Sequence, residues 1–175
     1  LQGSVDSASF VGVDGLTVAV TSLGISINQA GLGTDRVIDY GADATDLTIA
    51  TGPSSDLTLT MEGSKGRLLQ VAGDFELDVF GFLQVEGSFA IEKSDNTVTL
   101  ADPDGTGALK GEEVDVGQLV IGGTVSSAFA GLNGGTDDAL GLELSRVEFG
   151  LALLSSKADT TRTWSSLQAV ADSAS

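Results

Sequence analysis

Apolar side chains recur at every second position along most of this chain, the spacing of strands that bury one face. Leu16, Val18 and Val20 alternate with Thr17, Ala19 and Thr21; Leu57, Leu59 and Met61 alternate with Thr58 and Thr60; Val98 and Leu100 flank Thr99. The β-branched content of these runs agrees with strands. A 3.6-residue stripe shows only weakly, near 163–172. The pattern predicts an all-β fold: an elongated antiparallel meander of long hairpins with a solenoid-like repeat body, with a two-sheet β-sandwich as the alternative.

The phase of the alternation slips at two places of the same design. In GLTVAVTSLGISI the apolar positions are Leu16, Val18 and Val20, then Leu23, Ile25 and Ile27; in ALGLELSRVEFGLAL they are Leu140, Leu142 and Leu144, then Val147, Phe149 and Leu151. A slip of one residue swaps the two faces of a strand unless a bulge or bend absorbs it. The slips fall at Thr21-Ser22 and at Ser145-Arg146, and SASFVGV (7–13) upstream of the first resembles SSAFAGL (126–132) upstream of the second. A shorter echo relates LQVAGDFEL (69–77) to LQVEGSFAI (83–91). Finally, Leu1, Gln2, Asp6, Ser7, Ala8 and Ser9 recur as Leu167, Gln168, Asp172, Ser173, Ala174 and Ser175. These echoes predict that 1–166 is one tandem-repeat unit and that 167–175 is the first strand of the next.

Composition narrows the function. Of 175 residues 41% are hydrophobic but only 5% aromatic, so the core must be aliphatic, and 24 Gly against 2 Pro suit many turns and close backbone approaches. With 25 acidic and 8 basic side chains the formal charge is −17, the wrong sign for tracking phosphates, so nucleic acid is excluded as a partner. Such a charge favours solubility and recruits cations. The absence of Cys and His removes disulfides, thiolate nucleophiles, the commonest general base and most transition-metal sites. The uncharged windows 15–34 and 117–136 carry too much Gly, Ser, Thr and Asn for hydrocarbon, so no membrane insertion is expected.

The most specific chemical signal is ADPDGTGALKGEEVDV (101–116). Counted from Asp102, the oxygen ligands Asp102, Asp104 and Thr106 fall at positions 1, 3 and 5, Gly107 at 6 and Glu113 at 12, the spacing of an EF-hand-type calcium loop. The flanks NTVTL and VDVGQLVI read as strands where an EF-hand has helices, and Asp-Pro-Asp-Gly alone makes a tight turn. NGGTDDALG (133–141) and the acids Asp35, Asp39, Asp43 and Asp46 read as solvated loops. No carboxylate pair stands out for hydrolysis, and Ser64-Lys65 and Ser156-Lys157 fall where turns are expected, so no catalytic activity is expected. Trp164 and Tyr40 are the candidate platforms for carbohydrate, Trp164 also for the joint between units. Phe10, Phe75, Phe89, Phe129 and Phe149 fall in phase with the apolar face and are assigned to the core.

Taken together, VDGLTVAV…INQA, ATGPSS, LQVEGSFAIEKS, SAFAGLNG and LELSRVEFGLALL resemble repeats of giant bacterial extracellular proteins of the tandem-array, adhesin-like kind, over nearly the whole chain. The resemblance implies a structural or adhesive module at the cell surface, in a long protein or fibre, with neighbouring copies of the same repeat as partners, a surface ligand beyond them, and calcium as the candidate ion. Two further classes stay open: a calcium-dependent carbohydrate-binding module, and an open β-groove carrying an apolar ligand.

Overall fold

The computed structural model describes residues 1–10, 12–34, 36–41, 45, 47–101 and 111–174. The strands are β1 (Gln2–Phe10), β2 (Leu16–Asn28), β3 (Thr48–Gly52), β4 (Ser55–Thr58), β5 (Leu68–Val79), β6 (Leu83–Thr99), β7 (Glu113–Leu132), β8 (Leu140–Ser156) and β9 (Thr163–Ala174). Among the described residues the only helical piece is a 3-10 turn at Gly63–Lys65. The protein is all-β: β1-β2-β5-β6-β7-β8-β9 form one antiparallel seven-stranded sheet, and β3-β4 a separate hairpin. The second sheet is thus a single hairpin, and the two layers of a sandwich are not formed by the described residues. The weak helical stripe at 163–172 lies in β9 instead. Its Thr, Ser and Val content is poor for a helix, and the ladder of β8 offers every second residue a backbone partner.

The phase slips are absorbed as bulges. In β2 the register against β5 shifts between Thr21 and Gly24, and Ser22 takes a left-handed φ of 53°. Val20 then lies opposite Phe75, and Ile25 opposite Val71, so both halves of β2 direct their apolar residues to one side. In β8 the left-handed residue is Arg146, φ 49°, and β7 carries its own extra residue where the pairing to β6 shifts between Glu86 and Gly87. The β5–β6 ladder between the two register shifts runs unbroken, and a continuous apolar face results.

Two kinds of row run across the strands. On the apolar face Ile25, Val71, Ile91, Ile121, Leu151 and Leu167 are successive cross-strand neighbours. The next row alternates glycine with phenylalanine: Gly73, Phe89, Gly123, Phe149. The echo of 69–77 in 83–91 has the same cause. It places Gly73 opposite Phe89 and Phe75 opposite Gly87. The Phe75 and Phe89 rings sit 6.3 Å apart at 58°, a tilted contact typical of aromatic pairs. A side chain at Gly87 would run into the Thr124 carbonyl, and one at Gly123 would meet the Phe149 ring at 2.7 Å. On the other face run polar rows such as Ser26, Gln70 and Glu92.

Burial is concentrated at one end of the sheet. Leu59, Met61 and Leu68 pack with Tyr40 where the 29–67 excursion returns to β5, and Val114 and Val116 are buried at the start of β7. Asn28, Ser94 and Ser156 are buried nearby with their hydrogen bonds satisfied; Asn28 Nδ2 donates to the Ile38 carbonyl at 2.8 Å. The phenylalanines assigned to the core are placed differently. Phe75 and Phe89 are half-buried on the apolar face, Phe149 is 36% exposed, and Phe129 sits on the polar face opposite Gln84. The side chain of Phe10 lies outside the described residues. The physical reason is that the described residues form one layer of sheet: the chain's accessible surface is 11610 Å², against about 7,900 Å² for a globular chain of this mass.

Met61→Ala is expected to cost about 2–5 kcal/mol, because it opens a cavity in the packed end, whereas Leu142→Ala, on an exposed strand end, is expected to stay within about 0.5 kcal/mol of the parent. Urea unfolding of the two variants measures the contrast.

Candidate functional site

The two outer strands of the sheet are the most informative pair of elements. β1 lies on β2 with Gln2 opposite Ser26 and Ser7 opposite Thr21; β9 lies on β8 with Gln168 opposite Gly150 and Ser173 opposite Ser145. Aligning the slips of β2 and β8, and the echo of β1 in β9, carries the six pairs from Gln2 opposite Ser26 to Ala8 opposite Val20 onto the six from Gln168 opposite Gly150 to Ala174 opposite Leu144. The coincidence includes the irregularity. Asp6 faces left-handed Ser22 in one ladder and Asp172 faces left-handed Arg146 in the other, each dropping out of the regular pairing. Arg146 and Asp172 form an ion pair at 3.3 Å, and the Ser145 and Ser173 hydroxyls are 2.6 Å apart.

The two ladders differ in hydrogen-bond phase. Leu1 exchanges both backbone bonds with Ile27, at 2.7 and 2.6 Å, so the peptide groups of Leu1 point into the sheet. At the opposite edge the Ser156 N–H donates to the Arg162 carbonyl at 3.0 Å. In an antiparallel ladder hydrogen-bonded pairs recur every second residue, so Gly150 and Gln168 are bonded, and the N–H and C=O of Leu167 point to the open edge. Leu1 and its counterpart Leu167 therefore turn their peptide groups in opposite directions.

The end of the sheet beside the start of β9 is knitted by charge. Arg162 donates two bonds to Glu112, Nη1 to Oε1 at 3.0 Å and Nη2 to Oε2 at 3.2 Å, and its guanidinium stands 5.5 Å from the centre of the Trp164 ring. Paired planar forks of this kind are the stronger class of surface ion pair, and the ring contact adds cation–π attraction. The Arg162 hydrogen bonds hold the Glu112 carboxyl below its ordinary value. Asp159 is lowered by the side-chain and backbone donors of Thr161, Asp39 by the N–H groups of Gly63 and Gly41, and Asp78 by Gln84 and then Gly81. Lys157 reaches Asp95 at 2.9 Å, and Lys65 reaches Glu92 at 2.7 Å.

The residues singled out by sequence fare unevenly. Asp102, Asp104 and Thr106 lie outside the described residues, as do Asp35, Asp43 and Asp46. Glu113 opens β7 opposite Thr99, in a strand and not in a helix. Trp164 carries the Arg162 cation over its ring, and Tyr40 packs against Leu59, Met61 and Leu68; the two do not share a cleft. Ser64 and Lys65 sit in the 3-10 turn, with Lys65 engaged by Glu92. A shallow hollow on the polar face gathers Asp74, Glu76 and Glu86 beside Thr21, Ser88 and Thr124, with Glu76 directly opposite Glu86. Among the described residues no group of three or more acidic side chains is set to hold a metal ion. The ion pairs of Arg146 and Arg162 escaped the sequence reading; the one available signal was an arginine at the second slip in a chain with so few cations.

Compared with protein-family models, with curated proteins and with solved structures, the chain matches none.

The Arg162–Glu112 pair gives a pH prediction. A carboxyl lowered in the folded state binds its proton less readily than in the unfolded state, so its contribution is present above the ordinary glutamate value of 4.5 and is lost as pH falls through the folded value. The melting temperature of Glu112→Ala is expected to lie below the parent's at neutral pH, and the gap to close as the pH is taken below 4.5. Thermal melts across that range read it.

Proposed function

We propose that this chain is a structural module of a long extracellular or cell-surface protein, one unit of an adhesive shaft or fibre whose copies join end to end into an elongated, solenoid-like body. The observation that carries this reading is the treatment of β1 and β9: a nine-residue stretch with six positions in common, laid on two equivalent strands in one register, at opposite edges of the sheet. Open sheet edges otherwise invite uncontrolled pairing and are shielded in isolated proteins. In an array each edge has a designated partner, and the dense negative charge keeps neighbouring arrays apart.

The test is a chain of two units, residues 1–166 followed by residues 1–175, melted beside the single chain. Nearest-neighbour coupling is expected to raise the melting temperature above that of the single chain, in one cooperative transition. Melting of the two-unit chain at the temperature of the single chain would count against the reading.

Calcium belongs to the same proposal, through Asp102, Asp104 and Thr106 in the connection between β6 and β7 and Glu113 at the start of β7. An ion bound only by the folded chain stabilises by about 2.7 kcal/mol at a hundredfold excess over Kd. Calcium titration is expected to raise the melting temperature of the parent, with reversal by chelator, and to leave Asp104→Asn unchanged.

A further inference from the structure

We propose that β9 is a shared strand: one of its edges pairs with β8 of its own copy, and the other pairs with β2 of a second copy of this chain, in the place that β1 occupies there. This rests on the module reading above and names its joint.

Four observations fit β9 to that place. The first is register. Setting Leu167 opposite Ile27 of the second copy reproduces the β1 ladder position by position, with Gln168 opposite Ser26, Ser173 opposite Thr21, and Asp172 beside the left-handed Ser22. The second is hydrogen-bond phase. Ile27 bonds to the residue opposite it through both backbone groups, and the N–H and C=O of Leu167 face the open edge and meet that demand. A strand that pointed these groups at β8 would not. β1 and β9 are therefore one strand seen from its two sides.

The third is direction. The sheet is antiparallel in the order β1-β2-β5-β6-β7-β8-β9, so β9 runs the same way as β1 and meets β2 antiparallel. Six strands lie from β1 to β8, and only an even number lets the next copy continue without reversing. The fourth is face. Leu167 shares the apolar face with Leu151, and Ile27 shares it with Leu69, so the apolar row crosses the joint as Leu151, Leu167, then Ile27 and Leu69 of the second copy. Leu167, 71% exposed at the open edge, gains a neighbour on that edge.

The chain lacks cysteine, so introduced thiols report the joint cleanly. At the joint Gln168 faces Ser26 and Val170 faces Gly24, both as pairs without hydrogen bonds between them, with Cα atoms about 4.5 Å apart and within disulfide reach. Inside one copy the two positions of either pair lie about 24 Å apart, across the width of the sheet. Full-length chains carrying Ser26→Cys with Gln168→Cys, or Gly24→Cys with Val170→Cys, are compared under mild oxidation with the crossed pairs Ser26→Cys with Val170→Cys and Gly24→Cys with Gln168→Cys. β1 competes in cis at an effective concentration of about 1 mM, so the chains are raised toward that level, and the disulfide traps each exchange.

Both in-register pairs are expected to give a reducible ladder of dimers and higher species about tenfold faster than either crossed pair. Two independent in-register pairs guard against one substitution that fails to fold. Crossed pairs linking as fast as in-register pairs, or in-register pairs left unlinked, would overturn the joint. If the two-unit chain still melts above the single chain, the module reading survives that failure; if it does not, both fall.

Discussion

A left-handed residue in the middle of a long strand is the constraint on which this sheet depends. Side chains alternate with period two, so thirteen residues of β2 and seventeen of β8 would turn half of their apolar residues to the wrong side if their phase slipped unabsorbed. Ser22 and Arg146 prevent this by taking positive φ at the slip, a conformation that costs a non-glycine residue about 1–2 kcal/mol. The surrounding ladders hold them there. Because Asp6 and Asp172 skip the pairing opposite them, the irregularity is shared by the outer strands and the β1–β2 and β8–β9 ladders keep their register past it.

The remaining packing follows from having a single layer. With no second layer over the apolar face among the described residues, its side chains cover one another sideways. Gly123 leaves room for the ring of Phe149, Gly73 lies close against Leu23 at the β2 bulge, and aliphatic rows fill the space between. Enclosed burial is confined to the end where Leu59, Met61 and Leu68 close on Tyr40. The polar face carries opposed acids such as Glu76 and Glu86, an arrangement that weakens the ladder locally. Such a sheet draws its order from backbone pairing more than from a core.

Much of this was legible in the chain itself. The period of two, the slips at Thr21-Ser22 and Ser145-Arg146, the Gly-x-Phe echo and the recurrence of Leu1 and Gln2 as Leu167 and Gln168 are local patterns, and local patterns specify strands, bulges and repeats directly. The strand at 163–174 was harder to read, because Trp164, Leu167 and Val170 mimic a helical stripe when the ladder of β8 is not in view.

What the sequence alone determined is the all-β class, the antiparallel hairpins and the identity of design between the two edges. What only the tertiary structure decided is which neighbours those strands take. Among the described residues no layer covers Phe75, Phe89 and Phe149, the burial falls instead on Leu68 and Val116 at one end, and Leu1 and Leu167 point their backbone groups in opposite directions. The reason is physical: alternation fixes the side of a strand on which a residue lies, but whether that side meets protein or solvent, and to which edge a peptide bonds, depends on partners distant in the chain.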